Sequence, residues 1–80
     1  MTIIGWIYEH YKGGLYKVIG HGRMEKNLEE VIIYKPLEID GKFPADLFWV
    51  RPRKEWEKWV EINGLMVPRY VLVKTASQVE

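Results

Sequence analysis

Alternating apolar and polar residues divide the chain into short segments that predict β-strands. Four of these segments cover residues 4–11, 15–24, 31–37 and 47–52, and two further alternating runs lie within residues 60–73. The segments are rich in β-branched and aromatic residues, and they end at glycine, proline or polar residues. This is the pattern of strands separated by turns, so we expect a mainly β protein.

Glycine residues mark the predicted turns and one irregular strand. The glycine pair at 13–14 predicts a tight turn, because glycine adopts a positive φ at little cost. Asn63-Gly64 predicts a hairpin between the last two alternating runs. Gly20 and Gly22 lie two apart within one strand, which indicates a strong bend or a β-bulge.

Proline and tryptophan positions predict one short helix before the last hairpin. Pro52 lies where a helix tolerates proline, at its first turn, and the helical segment would extend for about two turns. Trp56 and Trp59 lie three apart on one face of it, and we expect them to pack together over one end of the sheet. Pro68 has no N–H for a ladder and belongs at an edge or a bulge. The pattern therefore predicts a small, strongly bent antiparallel barrel of five or six strands with one short helical turn.

Strand alternation also predicts which side chains form the core. In the strand that ends at Pro52, Phe48 and Val50 share one face, whereas Trp49 and Arg51 share the other. We expect the first pair to face the core, so that the second pair faces outward or lines a groove. The expected core residues are Leu15, Val18, Val31, Ile33, Phe48, Val50, Val60 and Ile62.

Length and composition limit the class of protein. Eighty residues make a single domain over residues 1–80, with its core in 5–73 and a flexible tail at 74–80. Four Trp, five Tyr and two Phe allow a short chain to bury a large apolar area. The chain has no cysteine, signal-peptide pattern or apolar run of membrane-spanning length. We therefore expect a cytoplasmic protein that does not insert into a membrane.

The net charge of +1 is unevenly distributed along the chain. The first 24 and the last 34 residues each carry a net charge of +2, and the 22 residues between them carry −3. If strands from the two ends pair, Lys12, Arg51 and Arg69 would gather on one side of the protein. The alternative is an ordinary solvated surface on which both signs are mixed.

Residues that could perform catalysis or bind a metal are scarce. His10 and His21 are the only histidines, and no cysteine accompanies them, so we expect no metal site. The chain has only three serine or threonine nucleophiles, and they lie near the chain ends, at Thr2, Thr75 and Ser77. No glycine-rich phosphate loop joins a strand to a helix. We expect a protein that is not an enzyme and has no cofactor.

Four blocks of sequence resemble a known family. These blocks are YEHYKGGLYKVIG at 8–20, EEVIIY at 29–34, WVRP at 49–52 and VPRY at 67–70. In this order they are similar to a family of small bacterial and phage proteins named domain of unknown function 1653. The resemblance covers roughly residues 5–72 and implies an SH3-like barrel, but it implies no chemistry. The residues that match the family pattern are Tyr8, His10, Tyr11, Lys12, Gly13, Tyr16, Tyr34, Trp49, Arg51, Pro52, Pro68, Arg69 and Tyr70.

A candidate binding face follows from residue type and alternation. Alternation places His10 and Lys12 on one face of the first strand and Tyr11 on the other. Trp49 beside Arg51 offers a flat ring and a planar cation, which suit a base and a phosphate. The same residues would also serve as scaffold, because a strand histidine is often hydrogen-bonded and an arginine stacked on tryptophan stabilises a barrel. The predicted ligand-binding residues are His10, Lys12, Tyr34, Trp49, Arg51 and Arg69, whereas Tyr8, Tyr16 and Tyr70 are expected in the core.

These observations predict a noncatalytic binding module. Its expected ligand is a nucleic acid or a nucleotide, held by base stacking and phosphate contacts. The main alternative is a module that binds a protein or peptide in an aromatic groove. A third hypothesis is a phage protein that sequesters a nucleotide signal. The sequence leaves the oligomeric state open.

Overall fold

The computed structural model describes residues 4–37 and 48–75. Within these ranges the chain forms seven strands and one short helix, so the mainly β prediction is confirmed with more strands than expected. The predicted tail lies outside the described residues except at its start, where Lys74 ends the last strand. The elements are β1 (Ile7–His10), β2 (Leu15–Arg23), β3 (Glu30–Pro36), β4 (Trp49–Pro52), α1 (Arg53–Trp56), β5 (Trp59–Ile62), β6 (Leu65–Pro68) and β7 (Tyr70–Lys74).

The described strands form two antiparallel sheets. The larger sheet has five strands in the order β4-β3-β2-β1-β7, and the smaller one is the β5–β6 hairpin. Strand β7 pairs with β1, so residues from the two ends of the described chain lie side by side. No described helix is long and apolar enough to span a membrane.

The turns lie where the glycine signals predicted them. In the β1–β2 turn, Gly13 and Gly14 have φ values of 98° and 91°. In the β5–β6 hairpin, Asn63 and Gly64 both have positive φ, at 51° and 82°, as a type I′ turn requires. The register of β2 against β3 shifts just before Gly20, which confirms the predicted bulge.

The helix is shorter than the sequence predicts. Helix α1 begins after Pro52 and ends at Trp56, so it contains a single turn. Trp56 is buried, but Trp59 begins β5 and is 55% exposed. The expected Trp56–Trp59 pair is therefore wrong, because the three-residue spacing places two side chains together only where the helix continues. Ion pairs attach α1 to β3, with Arg53 2.8 Å from Glu30.

One face of the larger sheet carries the core, and we call it the inner face. Its buried residues are covered by α1, whose Trp56 ring stacks on Tyr70 with the centroids 3.7 Å apart. Edge contacts join the same ring to Tyr8 at 5.5 Å and to Tyr34 at 4.9 Å. The core consists of Tyr8, Val18, Ile32, Tyr34, Trp56 and Tyr70, with Trp6, Tyr16 and Trp49 packed against it.

The expected core is partly wrong, and the strand β4 accounts for the clearest error. Phe48 and Val50 are exposed, at 47% and 54%, whereas Trp49 is half-buried against the core. Alternation separated these residues into the correct two faces, but the face that points inward is the one with Trp49. The register decides this, because Trp49 lies opposite the buried Tyr34. Of the other expected core residues, Val18 and Val31 are buried, Leu15, Ile33 and Val60 are half-buried, and Ile62 is exposed.

Candidate functional site

Pairing of β1 with β7 brings basic residues from the two ends of the chain together. His10, the last residue of β1, lies opposite Tyr70, the first residue of β7. Immediately beyond this pair, the backbone N–H of Tyr11 donates to the carbonyl oxygen of Arg69 at 2.9 Å. Lys12 follows in the β1–β2 turn. The turn and the start of β7 therefore place His10, Lys12 and Arg69 at one end of the sheet.

The His10 imidazole is held among three tyrosine rings. Its centroid lies 4.6 Å from that of Tyr11, 5.0 Å from Tyr70 and 6.4 Å from Tyr16. The backbone N–H of Lys12 donates to Nδ1 of His10 at 3.1 Å. Because Nδ1 accepts this bond, neutral His10 carries its proton on Nε2. The ring therefore presents Nε2–H as a donor.

The pKa of His10 reflects its partial burial and the neighbouring cations. Partial burial of the ring lowers its pKa below the ordinary value of 6.5, and the positive charges of Arg51, Arg69 and Lys12 lower it further. These three cations thus act on one imidazole, although they come from β4, from the residue before β7 and from the β1–β2 turn. The structure brings together the three bases that the charge distribution suggested.

Arg51 connects this basic group to the aromatic inner face. Its Nε donates to the hydroxyl oxygen of Tyr34 at 3.4 Å, and this bond is the main reason that the pKa of Arg51 is raised. On its other side, Nη1 of Arg51 lies 3.5 Å from Glu55 of α1. Burial, followed by a hydrogen bond with Tyr34, raises the pKa of Tyr70. Arg51 is therefore positioned by Tyr34 and Glu55.

Trp49 lies at the β4 side of the same face. Its ring centroid is 5.8 Å from that of Tyr16 and 6.0 Å from that of Tyr34. Trp49 and Arg51 are both half-buried, so the core covers neither residue completely. Trp49 and Arg51 share a face, as alternation predicted.

Arg69 has an unusual polar environment. Its Nε is buried and, among the described residues, has no hydrogen-bond partner. Its guanidinium carbon lies 5.9 Å from the ring centroid of Tyr11, and Nζ of Lys12 lies 5.7 Å from the same centroid. Both distances are within the range of cation–π attraction. Within 4–37 and 48–75, no carboxylate lies within 4.0 Å of Lys12 or Arg69.

These contacts define one continuous group, which we call the aromatic–basic cluster. It includes all six residues that the sequence predicted and three tyrosines that it did not assign to the site. Alternation placed Tyr11 on the far face, but β1 ends at His10 and the alternation ends with it. Tyr16 and Tyr70 were assigned to the core, and they also contact His10. The cluster comprises His10, Tyr11, Lys12, Tyr16, Tyr34, Trp49, Arg51, Arg69 and Tyr70.

A cleft beside the β1–β2 turn shares His10, Tyr11 and Lys12 with the cluster. Its volume is about 620 Å³, and it lies between this turn and the β5–β6 hairpin. The hairpin side is apolar, whereas the turn side includes Glu9 and Lys12. No group of three potential metal ligands is present in the described part of the chain. The residues that line the cleft are Glu9, His10, Tyr11, Lys12, Gly13, Ile62, Val67, Pro68 and Val71.

Comparison with known proteins agrees with the resemblance seen in the four sequence blocks. The model of the family described as protein of unknown function DUF1653 matches residues 6–72. A crystal structure of a protein of this family from Bordetella bronchiseptica is similar to this chain, with a TM-score of 0.71 and 27% sequence identity. That match covers 90% of this chain and 88% of the other. No curated protein matches. Because the family model spans most of its length, the chain belongs to the DUF1653 family.

Proposed function

We propose that this chain is a noncatalytic binding module that holds a nucleotide or a nucleic acid on the aromatic–basic cluster. One observation carries the proposal, namely that Lys12 and Arg69 lie 5.7 and 5.9 Å from the Tyr11 ring, which is itself 4.6 Å from the His10 ring. The positive charge of Arg51 also lowers the pKa of His10, together with those of Arg69 and Lys12. Glu55 is the one carboxylate in the described ranges that forms an ion pair with any of these three cations. Their positive charge is therefore incompletely compensated, and it suits an anionic ligand.

The aromatic residues favour a ligand with a flat ring as well as a phosphate. Trp49 is half-buried, and the planar cation of Arg51 follows two residues later on the same strand. A base stacked on an aromatic ring contributes about 1–3 kcal/mol to binding. The guanidinium of Arg51 supplies two parallel donors for phosphate oxygens, which an ammonium group does not. We place this binding in the cytoplasm, in keeping with a chain that has no cysteine.

Titration at several salt concentrations tests the proposal. Nucleotides and short single strands are added to the wild-type protein, Lys12→Ala and Arg51→Lys, and Lys26→Ala serves as a control in the exposed turn before β3. We expect both cluster variants to bind more weakly and Lys26→Ala to bind normally. With single strands, each lost phosphate contact would reduce the slope of log K against log salt by about 0.7. Equal binding by all four proteins would contradict the proposal.

The apolar cleft supports a second candidate, which is binding of a peptide. Ile62, Val67 and Pro68 of the hairpin face Tyr11 across the cleft. An aromatic ring beside apolar residues is typical of grooves that hold extended peptides. This function predicts binding that depends weakly on salt, is abolished by Ile62→Glu and is unaffected by Arg51→Lys. The opposite pattern supports the nucleotide-binding function.

A further inference from the structure

Three bases outside the aromatic–basic cluster form ion pairs with glutamates. Arg53 lies 2.8 Å from Glu30, which also lies 3.4 Å from Arg23. Lys54 lies 3.0 Å from Glu29. These bases connect β2, β3 and α1 to one another. They therefore do not extend the positive surface of the cluster along the protein.

Three lysines in the larger sheet lie on the face opposite the cluster. Lys17 is opposite Lys35 in the β2–β3 register, and Ile7 is opposite both Lys17 and Lys74. Lys17 follows Tyr16 in the strand and therefore points away from the inner face, as does Lys35 after Tyr34. These three lysines therefore do not add to the positive charge of the cluster.

The aromatic–basic cluster contains hydrogen-bond donors for which the structure describes no acceptor. Arg69 is half-buried, and its buried Nε has no described partner, so the hydrogen-bonding capacity of this guanidinium is incompletely used. His10 presents Nε2–H because its Nδ1 is occupied by the Lys12 backbone N–H. Lys12 adds a flexible ammonium group in the exposed turn. Three donors gathered in one place match the oxygens of a phosphate chain.

We propose that the ligand is a free nucleoside di- or triphosphate, an inference that rests on the proposed function. A single strand distributes its charges along the backbone and needs a line of cations, whereas a polyphosphate concentrates several charges at one point. The phosphates lie between Lys12 and Arg69, and the base lies on Trp49. Tyr16 lies between these ends, with its ring 6.4 Å from His10 and 5.8 Å from Trp49. A single ring, that of Tyr16, therefore separates His10 from Trp49.

Calorimetric titration with a graded set of ligands tests this inference. The set contains the mono-, di- and triphosphates of adenosine, guanosine, cytidine and uridine, inorganic triphosphate, and oligothymidylates of increasing length without terminal phosphates. We expect the affinity for at least one nucleoside to increase by about tenfold from the mono- to the triphosphate. Inorganic triphosphate should bind more weakly than that nucleoside triphosphate, because it lacks the ring.

Matched variants separate this inference from the proposed function. Arg69→Lys and Lys12→Ala should remove most of the gain from added phosphates, whereas Lys26→Ala should retain it, with thermal melts showing that each variant is folded. Affinity that increases with oligothymidylate length, and not with the number of phosphates on a nucleotide, would overturn this inference and leave the proposed function standing. Inorganic triphosphate that binds as tightly as the best nucleotide would overturn the role of the base. Absence of binding by every ligand would overturn both proposals.

Discussion

Trp49 lies directly opposite Tyr34 in the β3–β4 pair, and their rings meet edge to face with centroids 6.0 Å apart. Because Tyr34 is buried, this pairing places Trp49 against the core and leaves Val50 exposed. Edge-to-face aromatic pairs contribute about 0.5–1.5 kcal/mol beyond the buried area. Trp49 therefore stabilises the fold at the same position where we propose that it contacts a base.

Replacing Trp49 should therefore lower stability more than replacing an exposed tryptophan. Trp49→Ala should decrease the free energy of unfolding by about 2 kcal/mol, less than for a fully buried tryptophan because the residue is half-buried. Trp59→Ala is the control, since Trp59 is 55% exposed, and it should change the free energy by less than about 0.5 kcal/mol. Urea denaturation followed by circular dichroism measures both. Equal losses would show that Trp49 does not pack as the structure describes.

Because Trp49 both packs against the core and is proposed to contact a base, a binding test needs a variant that keeps an aromatic ring. Trp49→Phe keeps a ring in the edge-to-face pair and should retain most of the stability that Trp49→Ala loses. Its smaller face should still weaken nucleotide binding, because stacking depends on ring area. A protein that melts like wild type but binds less tightly would assign a binding role to Trp49 separately from its structural role. An unchanged affinity of Trp49→Phe for nucleotides would show that Trp49 has only a structural role.

His10 should make stability depend on pH below neutrality. Its pKa is lowered in the folded state, first by burial and then by Arg51, Arg69 and Lys12, so the unfolded chain binds the proton more readily. The free energy of unfolding is therefore greatest above the ordinary pKa of 6.5 and decreases as the pH falls from there to the folded pKa. Protonation at Nδ1 also removes the bond from the Lys12 N–H.

Thermal melts between about pH 5 and pH 8 measure this effect. His10→Gln should flatten the dependence over this range, whereas His21→Gln, at an exposed position in β2, should leave it as in the wild type. A dependence that persists in His10→Gln would assign the titration to another group.

Glu30 should also make the free energy of unfolding decrease as the pH falls, but at a lower pH than His10 does. A hydrogen bond from Arg53 is the main reason that the pKa of Glu30 is lowered from its ordinary value of 4.5. The stabilising effect is therefore present above that value and is lost as the pH falls through the folded pKa. Glu30→Gln should melt at a lower temperature than wild type at neutral pH, and the difference should decrease as the pH falls below the ordinary pKa of 4.5. Glu61→Gln, exposed on β5, should match the wild type throughout.

The sequence predicted the features that depend on a few adjacent residues. The β1–β2 turn, the Asn63-Gly64 hairpin and the bulge before Gly20 all follow from local backbone preferences. The inward face of β4 could not be predicted in this way. Alternation offers two equivalent choices, and only the pairing of Trp49 with Tyr34 distinguishes them. Register with another strand is a property of the whole fold.

In the candidate site, too, the sequence predicted what depends on residue type and did not predict what depends on strand pairing. Residue type alone identified His10, Lys12 and Arg69 as candidates, because histidine, lysine and arginine suit anionic ligands. Their convergence required the pairing of β1 with β7, which the charge distribution suggested but did not determine. Tyr11 was missed because alternation was extended past His10, where β1 ends. The turn glycines at 13–14 were the signal that could have corrected this.

Two glycines allow the backbone preference to be measured without interference from packing. A Cβ at Gly64 would have no neighbour within 4 Å, yet this residue has a φ of +82°. Gly64→Ala should therefore destabilise the hairpin by about 1–2 kcal/mol through backbone strain alone. A Cβ at Gly20 would also meet open space, but the φ of Gly20 lies outside the left-handed region. Gly20→Ala should thus be neutral or stabilise the protein by about 0.4–1 kcal/mol, since it restricts the unfolded chain.

Hydrogen exchange of the hairpin amides, together with urea denaturation, distinguishes the two glycine variants. The β5–β6 hairpin forms its own two-stranded sheet, so its opening need not unfold the larger sheet. We expect Gly64→Ala to accelerate exchange at Val60 and Val67, which lie opposite each other in the hairpin. Gly20→Ala should leave those amides unchanged. Unchanged exchange in Gly64→Ala would mean that alanine accepts this turn, and that glycine there is not required by the positive φ of the hairpin.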